Sequence, residues 1–248
     1  MQADPHAAVV RLWGDGAREA AASLPALLGE DDDATGFTPP PQLRDAAKRA
    51  AGLRIPRTGL VMASLVPAVL EQRVQSEMAH LAWRRLVEQH GSPAPGPAPA
   101  GLMVVPSARE WAAVPVWDWH RAGVDPARAR TVTACARVAS RLEEAALLDG
   151  AAARARLEAV PGVGVWTSAE VAQRAFGDAD AVSVGDFNLP GAVGWALARE
   201  RTDDAGMLRL LAPYAPHRYR VARLVRLAVH GRAPRRGPRT PLVDYRRF

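Results

Sequence analysis

Apolar residues recur at helical spacing through most of this chain. The clearest stretch runs from Leu65 to Gly91, where Val66, Val69, Leu70, Val74, Met78, Leu81, Ala82 and Val87 mark one face. That period predicts a single long amphipathic helix. Shorter helices are expected over Ala17–Leu28, ending at Gly29, and over Leu43–Ala51. Ser107 and Glu110 have capping-box spacing, and Asp125-Pro126 supplies an N-cap and a first-turn proline for a helix expected to reach about Leu148. Further helices are expected around the glycine pair at Gly162 and Gly164, from Asp186 to about Arg199, over Asp203–Leu211 and over His217–Val229. Only Ala7–Trp13 reads as a strand, and Gly14-Asp15-Gly16 breaks it. The proline-rich run Gly91–Pro99 reads as a connector, because proline removes backbone donors. The expected class is mainly α.

Charge changes this picture most at the C-terminal end. The chain has 248 residues and a formal net charge of +6, yet His217–Phe248 alone holds ten arginines and one acid, Asp244. The remainder is slightly acidic, with an Asp31-Asp32-Asp33 run near its start. A basic stretch on a near-neutral body suits a nucleic-acid partner, although a solvated tail gives the same composition. The lone cysteine, Cys135, lies in a helix-like apolar setting, so it is expected in the core. One cysteine excludes an intrachain disulfide and a four-cysteine iron–sulfur cluster. The histidines lack zinc spacing, and no long apolar run is present, so neither a metal nor a membrane span is expected. A monomer without cofactors, in the cytoplasm and with the nucleoid, is the corresponding expectation.

The most informative segment is Leu157-Glu158-Ala159-Val160-Pro161-Gly162-Val163-Gly164-Val165-Trp166-Thr167, followed twenty residues after Trp166 by Asp186. It reads as helix, tight hairpin, second helix and then a loop bearing one carboxylate. Glycines at the turn free the backbone to approach a ligand. A turn that feeds a helix N-terminus also offers N–H groups and a dipole to an anion such as a DNA phosphate. Leu157, Val160, Val163 and Val165 would pack the two helices together. Taken singly, the hairpin is also an ordinary inter-helix turn, and Asp186 is also an ordinary helix N-cap.

Together, these residues resemble the helix–hairpin–helix DNA glycosylase superfamily, and the order of helices from about Leu60 to His230 is most similar to the bacterial 3-methyladenine DNA glycosylase II family. The resemblance implies two helical subdomains flanking a cleft, with a short N-terminal α/β remnant, truncated relative to that family. The corresponding division is 1–59 for the remnant, 60–230 for the glycosylase domain with its hairpin at 157–167, and 231–248 for a basic tail.

Such enzymes flip a damaged nucleotide out of double-stranded DNA into a pocket. The resemblance assigns phosphate gripping to Gly162, Val163, Gly164 and the Thr167 hydroxyl. It assigns the gap left by the flipped base to Arg73, where the family often has leucine, and places Gln72 beside the base. Without the other motifs, Gln72 and Arg73 read as the polar side of a helix. Asp186 would stabilise the oxocarbenium-like sugar electrostatically or orient water. Trp166 would line the base pocket, with Trp117 or Trp119 contributing a further π-face for a cationic base. Trp83 and Trp195 read as core. Glu170 stands where the family can present an aromatic, and would either meet the base or lie on an exposed helix face. Strand-cleaving relatives carry a nucleophilic lysine just after the hairpin; here Trp166 holds that position and Lys48 is the sole lysine.

The expected activity is monofunctional excision of an alkylated purine in base excision repair. The alternatives are a glycosylase for oxidised or deaminated bases and a non-catalytic helix–hairpin–helix DNA-binding protein.

Overall fold

The computed structural model describes residues 9–229 and 244–247. Its helices are α1 (Ala17–Leu27), α2 (Arg44–Arg49), α3 (Val61–Leu70), α4 (Ser76–His90), α5 (Ala108–Ala113), α6 (Val116–Ala122), α7 (Pro126–Arg137), α8 (Ala139–Glu143), α9 (Gly150–Glu158), α10 (Val165–Val171), α11 (Leu189–Ala198), α12 (Asp204–Leu211) and α13 (Arg218–Val229). They build two cores. Leu65, Leu86, Trp111, Val132, Leu142 and Leu157 are among the buried residues of the first, which draws on α3 to α10. The second joins Leu43 and Ile55 to Val193, Met207, Leu211 and Val221. The early part of the chain therefore packs into the same core as α11–α13. Residues 177–188 connect the first core to the second, so the loop carrying Asp186 is one of the crossings between them.

Local chemistry explains most boundaries. Ser107 and Glu110 form the complete capping box at α5. Asp125 accepts from the N–H groups of Ala127 and Arg128, with Pro126 at the first position of α7. Leu60 offers α3 no side-chain cap; Glu143 at the end of α8 does so instead, accepting from Val61 and Met62 N–H at 2.9 Å each. The start of α3 is thus tied to a helix more than eighty residues away.

The long helix expected over Leu65–Gly91 is two helices. Backbone turns at Glu71–Gln75, where Arg73 adopts φ 56°. Apolar spacing carries across the break because Val74 still packs on the core, but Leu81 is swung out to solvent. The helix expected from Asp125 to Leu148 also divides, at Val138, into α7, α8 and a 3₁₀ turn at Glu144–Leu147. Residues 9–13 of the expected first strand have no strand structure; residues before them lie outside the described part. Trp13 instead covers Gly96, leaving no room there for a side chain. The strands among the described residues are Ser92–Pro93 and Met103–Val104, paired antiparallel within the proline-rich connector and beyond it.

Candidate active site and nucleic-acid interface

The hairpin is held from two sides. Gly162 has φ 92°, and a Cβ there would lie 2.1 Å from Thr131 Oγ1 on α7, so glycine is required twice over, by conformation and by space. Gly164 is extended at φ −107°, and a Cβ there would meet nothing within 4 Å, so this position is open to a ligand. No side chain caps α10 at Gly164. The N–H groups of its first turn accordingly face the open side of the hairpin, an arrangement suited to an anion. Val163 packs its side chain in the core, as expected, but its N–H, assigned to a phosphate, donates instead to Val160 O at 3.0 Å. Val165 is exposed rather than packed between the helices.

Gln72 supplies the second hold. Its Nε2 donates to Gly162 O at 2.9 Å and to Thr167 Oγ1 at 2.8 Å. The amide expected beside the base is therefore engaged in bracing the α3–α4 turn against the hairpin. Thr167 is buried at 2% exposure, so its hydroxyl meets Gln72 and not a phosphate. Next to this brace, Arg73 is exposed in the left-handed backbone conformation at φ 56°.

One helix further, α10 carries Trp166 toward the crossing loop. The indole Nε1 donates to Asp186 Oδ2 at 3.4 Å. The other carboxylate oxygen, Oδ1, accepts from the N–H groups of Asn188 and Leu189, both at 2.8 Å, at the start of α11. Asp186 therefore accepts at the start of α11 and also meets the N–H edge of an indole. Phe187, which sequence reasoning did not single out, is half-exposed beside it. An aromatic directly after the aspartate was its available signal.

The other tryptophans are not brought here. Trp119 is buried at 3% exposure, stacked 5.8 Å from Trp111, which in turn stacks on Trp83. It is a core residue, not a base contact. Trp117 is exposed, but α6 runs antiparallel to α4: Arg85 reaches Ala122 O, while His90 faces Asp118. Trp117 thus lies at the His90 end of α4, opposite the end that bears the Gln72–Gln75 turn. Trp195 is partly buried, with the Arg199 guanidinium over its ring at 5.7 Å.

Glu170 is also displaced from its expected role. It is buried, accepting from Arg174 Nη1 at 2.7 Å on Oε2 and from Ser183 Oγ on Oε1. Such a fully paired carboxylate has no free edge for a base. The sole lysine, Lys48, is exposed on α2, within the second lobe. Cys135 is fully buried, and burial pushes its thiol up to about 12, which makes it inert. No group of three or more metal-ligating side chains is found among the described residues, nor is any helix long and apolar enough to cross a membrane.

Comparison with known proteins agrees with the fold. No family model matches the chain. Two curated proteins of Mycobacterium tuberculosis, from strains CDC 1551 / Oshkosh and ATCC 25618 / H37Rv, are each named "Probable bifunctional transcriptional activator/DNA repair enzyme AlkA"; both are 37% identical over 153 residues. The match takes in 60% of this chain and 30% of theirs, so the chain spans less than a third of these relatives. Among solved structures, the 3-methyladenine DNA glycosylase of Archaeoglobus fulgidus superposes with a TM-score of 0.69 at 17% identity, covering 90% of this chain and 77% of that one. MBOgg1 in complex with a low-affinity DNA ligand gives 0.72 at 14% identity, covering 87% and 76%. The Schizosaccharomyces pombe 3-methyladenine DNA glycosylase Mag1, bound to abasic DNA, gives 0.62 at 17% identity, covering 79% and 93%.

Proposed function

We propose that this chain, in fold and sequence a relative of the helix–hairpin–helix DNA glycosylases, is a monofunctional DNA glycosylase that acts on duplex DNA as a monomer. It flips a damaged base, an alkylated purine above all, and hydrolyses the N-glycosidic bond to leave an abasic site. The observation that carries this reading is the Trp166–Asp186 pair, with Trp166 in the first turn of α10, directly after the hairpin that Gln72 braces.

Each part has a chemical task. The hairpin backbone at Gly162 and Gly164 holds a phosphate, and Arg73 fills the gap where the base stood. As the glycosidic bond breaks, positive charge develops on the sugar. Asp186 stabilises it or orients the attacking water, in a site where a fixed carboxylate needs no reorganisation. Trp166 offers an electron-rich face, which favours a cationic, alkylated base over a normal one. The relatives named for DNA repair and for 3-methyladenine support this substrate class. Trp166 at the position of the lyase lysine supports hydrolysis rather than strand cleavage.

The test is single-turnover base release from duplexes carrying alkylated, oxidised or deaminated bases, with Asp186→Asn as control. Release of alkylated purines that the control abolishes is the expected result. Preferential release of an oxidised base would move the substrate to the class named for the 8-oxoguanine glycosylase/lyase of Clostridium acetobutylicum. Tight DNA binding with no release from any duplex would leave a binding protein.

A further inference from the structure

Glu170, Gln173 and Ser183 form a buried polar cluster that the functional reading leaves unused. Ser183 is completely buried, and Glu170 and Gln173 are each 3% exposed. Ser183 Oγ donates to Glu170 Oε1 and accepts from Gln173 Nε2 at 2.8 Å. Gln173 Nε2 also donates to Ala181 O at 2.9 Å. Arg174 closes the cluster on the outside through Glu170 Oε2 and Glu170 O.

The cluster leads to Asp186. Ser183 O accepts from Asp186 N–H at 3.2 Å, so the residue whose hydroxyl is locked below also holds the backbone of the aspartate above. Trp166 and Glu170 are four apart on α10 and lie on one face of it. That face therefore fixes the crossing loop at two points: Trp166 at the Asp186 carboxylate, and Glu170 at Ser183. The π-helical turn Ala172–Phe176 follows α10 immediately and carries Gln173, the third point. A single-turn π segment interrupts the normal ladder and re-aims side chains, and such segments recur at functional sites. Buried polar groups cost free energy unless all are satisfied, so a fully satisfied set of this kind specifies one loop conformation.

We propose that Glu170, Gln173 and Ser183 are positioning residues that set the Asp186 carboxylate against Trp166. This rests on the reading of Asp186 as the catalytic residue. The experiment separates the two claims by reading position without activity. The full chain is labelled with 5-fluorotryptophan and its seven tryptophan resonances are followed by fluorine NMR, with Trp166 assigned through Trp166→Phe. Ser183→Ala is expected to move the Trp166 resonance in the direction that Asp186→Asn moves it, while the exposed Ser140→Ala leaves it in place. Single-turnover base release by Ser183→Ala should fall roughly 10- to 100-fold, the span of one lost hydrogen bond to a charged group, with affinity for undamaged duplex unchanged. In an Asp186→Asn background the same substitution should cost under about twofold, because both act through one carboxylate. If Ser183→Ala does not fold, Gln173→Leu removes the donor to Ser183, and with it the bond to Ala181 O, and is read in the same way. An unmoved Trp166 resonance in a folded variant, or equal fold losses in both backgrounds, would overturn the proposal. A wild-type protein that releases no base would overturn the functional reading instead, and the fluorine result would still decide the positioning.

Discussion

Trp166 and Asp186, twenty residues apart in sequence, meet at 3.4 Å, and the two oxygens of the carboxylate divide their duties: Oδ2 faces the indole while Oδ1 caps α11. Helix cap and proposed catalytic carboxylate thus share one side chain. The cap fixes the carboxylate's direction, and the loop that bears it joins the two lobes, so its position reports their relation.

Asp186→Asn keeps an oxygen for the cap but removes the charge. Excision should fall by about 10²- to 10³-fold, the usual cost of losing a main electrostatic stabiliser, with near wild-type melting. Asp186→Ala should lose as much activity and about 1 kcal/mol of stability besides, because the cap goes too. DNA affinity should hold or rise in both. Single-turnover excision near the wild-type rate in Asp186→Asn, measured beside thermal melting, would remove Asp186 from the mechanism.

Strand cleavage through a Schiff base needs an amine at the site. Lys48 is exposed on α2, and Trp166 fills the position after the hairpin. Borohydride should therefore trap no covalent complex with damaged duplex, and the product should stay intact until alkali is added. Trapping that persists in Lys48→Ala would mean another amine, such as the N-terminus, reaches the sugar.

Arg73 sits at φ 56°, a region that non-glycine residues enter at a cost of roughly 1 kcal/mol. Arg73→Gly should relieve that strain and Arg73→Ala should not, so glycine should be the more stable of the two. Both remove the side chain proposed to fill the gap. Both should slow excision from duplex far more than from single strands. Equal slowing on the two substrates would make Arg73 a phosphate contact only.

These residues also mark how far the sequence could be read. The hairpin was legible because its requirements are local: a positive φ at Gly162 and an aspartate within one loop. The capped starts of α5 and α7 were legible for the same reason. The break in the Leu65–Gly91 helix was not, because Val74 keeps the apolar period while Arg73, a residue with no turn signature, takes the left-handed conformation. Nor could spacing alone tell an indole that stacks in the core, Trp119, from one that meets the Asp186 loop, Trp166. Glu170 was misread because its partner, Ser183, is thirteen residues away and only the fold brings them together.

Asp32, one of three consecutive acids, is not solvated. Its carboxylate takes both Arg220 Nη1, at 3.0 Å, and Nη2, and also the Ile55 N–H at 2.9 Å, linking the N-terminal segment to α13. Burial works to raise its carboxyl, but the bonds from Arg220 and Ile55 and the charges of Arg220 and Arg54 outweigh it and hold it below the usual value. A lowered folded value means the stabilisation is full above the unfolded value of about 4 and is lost as pH falls through the folded one. Asp32→Asn should cost about 3–5 kcal/mol at pH 7, leaving the Arg220 charge buried and unpaired. The gap between the variant and wild type in urea unfolding should narrow below about pH 4. A gap unchanged down to pH 2 would detach it from this carboxylate.

Two roles for the C-terminal end can be tested with separate variants. Tyr245 lies under the Arg128 guanidinium at 5.5 Å, and Arg128 is itself buried, with Nη1 donating to Leu70 O at the base of the Arg73 turn. The last described residues therefore pack on the body, so deleting Asp244–Phe248 should lower the melting temperature by uncovering a buried cation. The arginines at Arg232, Arg235, Arg236 and Arg239 lie outside the described residues and carry the charge argument alone. Replacing all four with alanine should leave melting unchanged while DNA affinity falls equally for damaged and undamaged duplex, since phosphate binding carries no lesion information. The log–log salt slope should become shallower by roughly 0.9 for each phosphate that the variant no longer neutralises. An unchanged slope in the folded quadruple variant would assign this stretch to solvent, and unchanged melting after the deletion would mean that Tyr245 adds nothing to the fold.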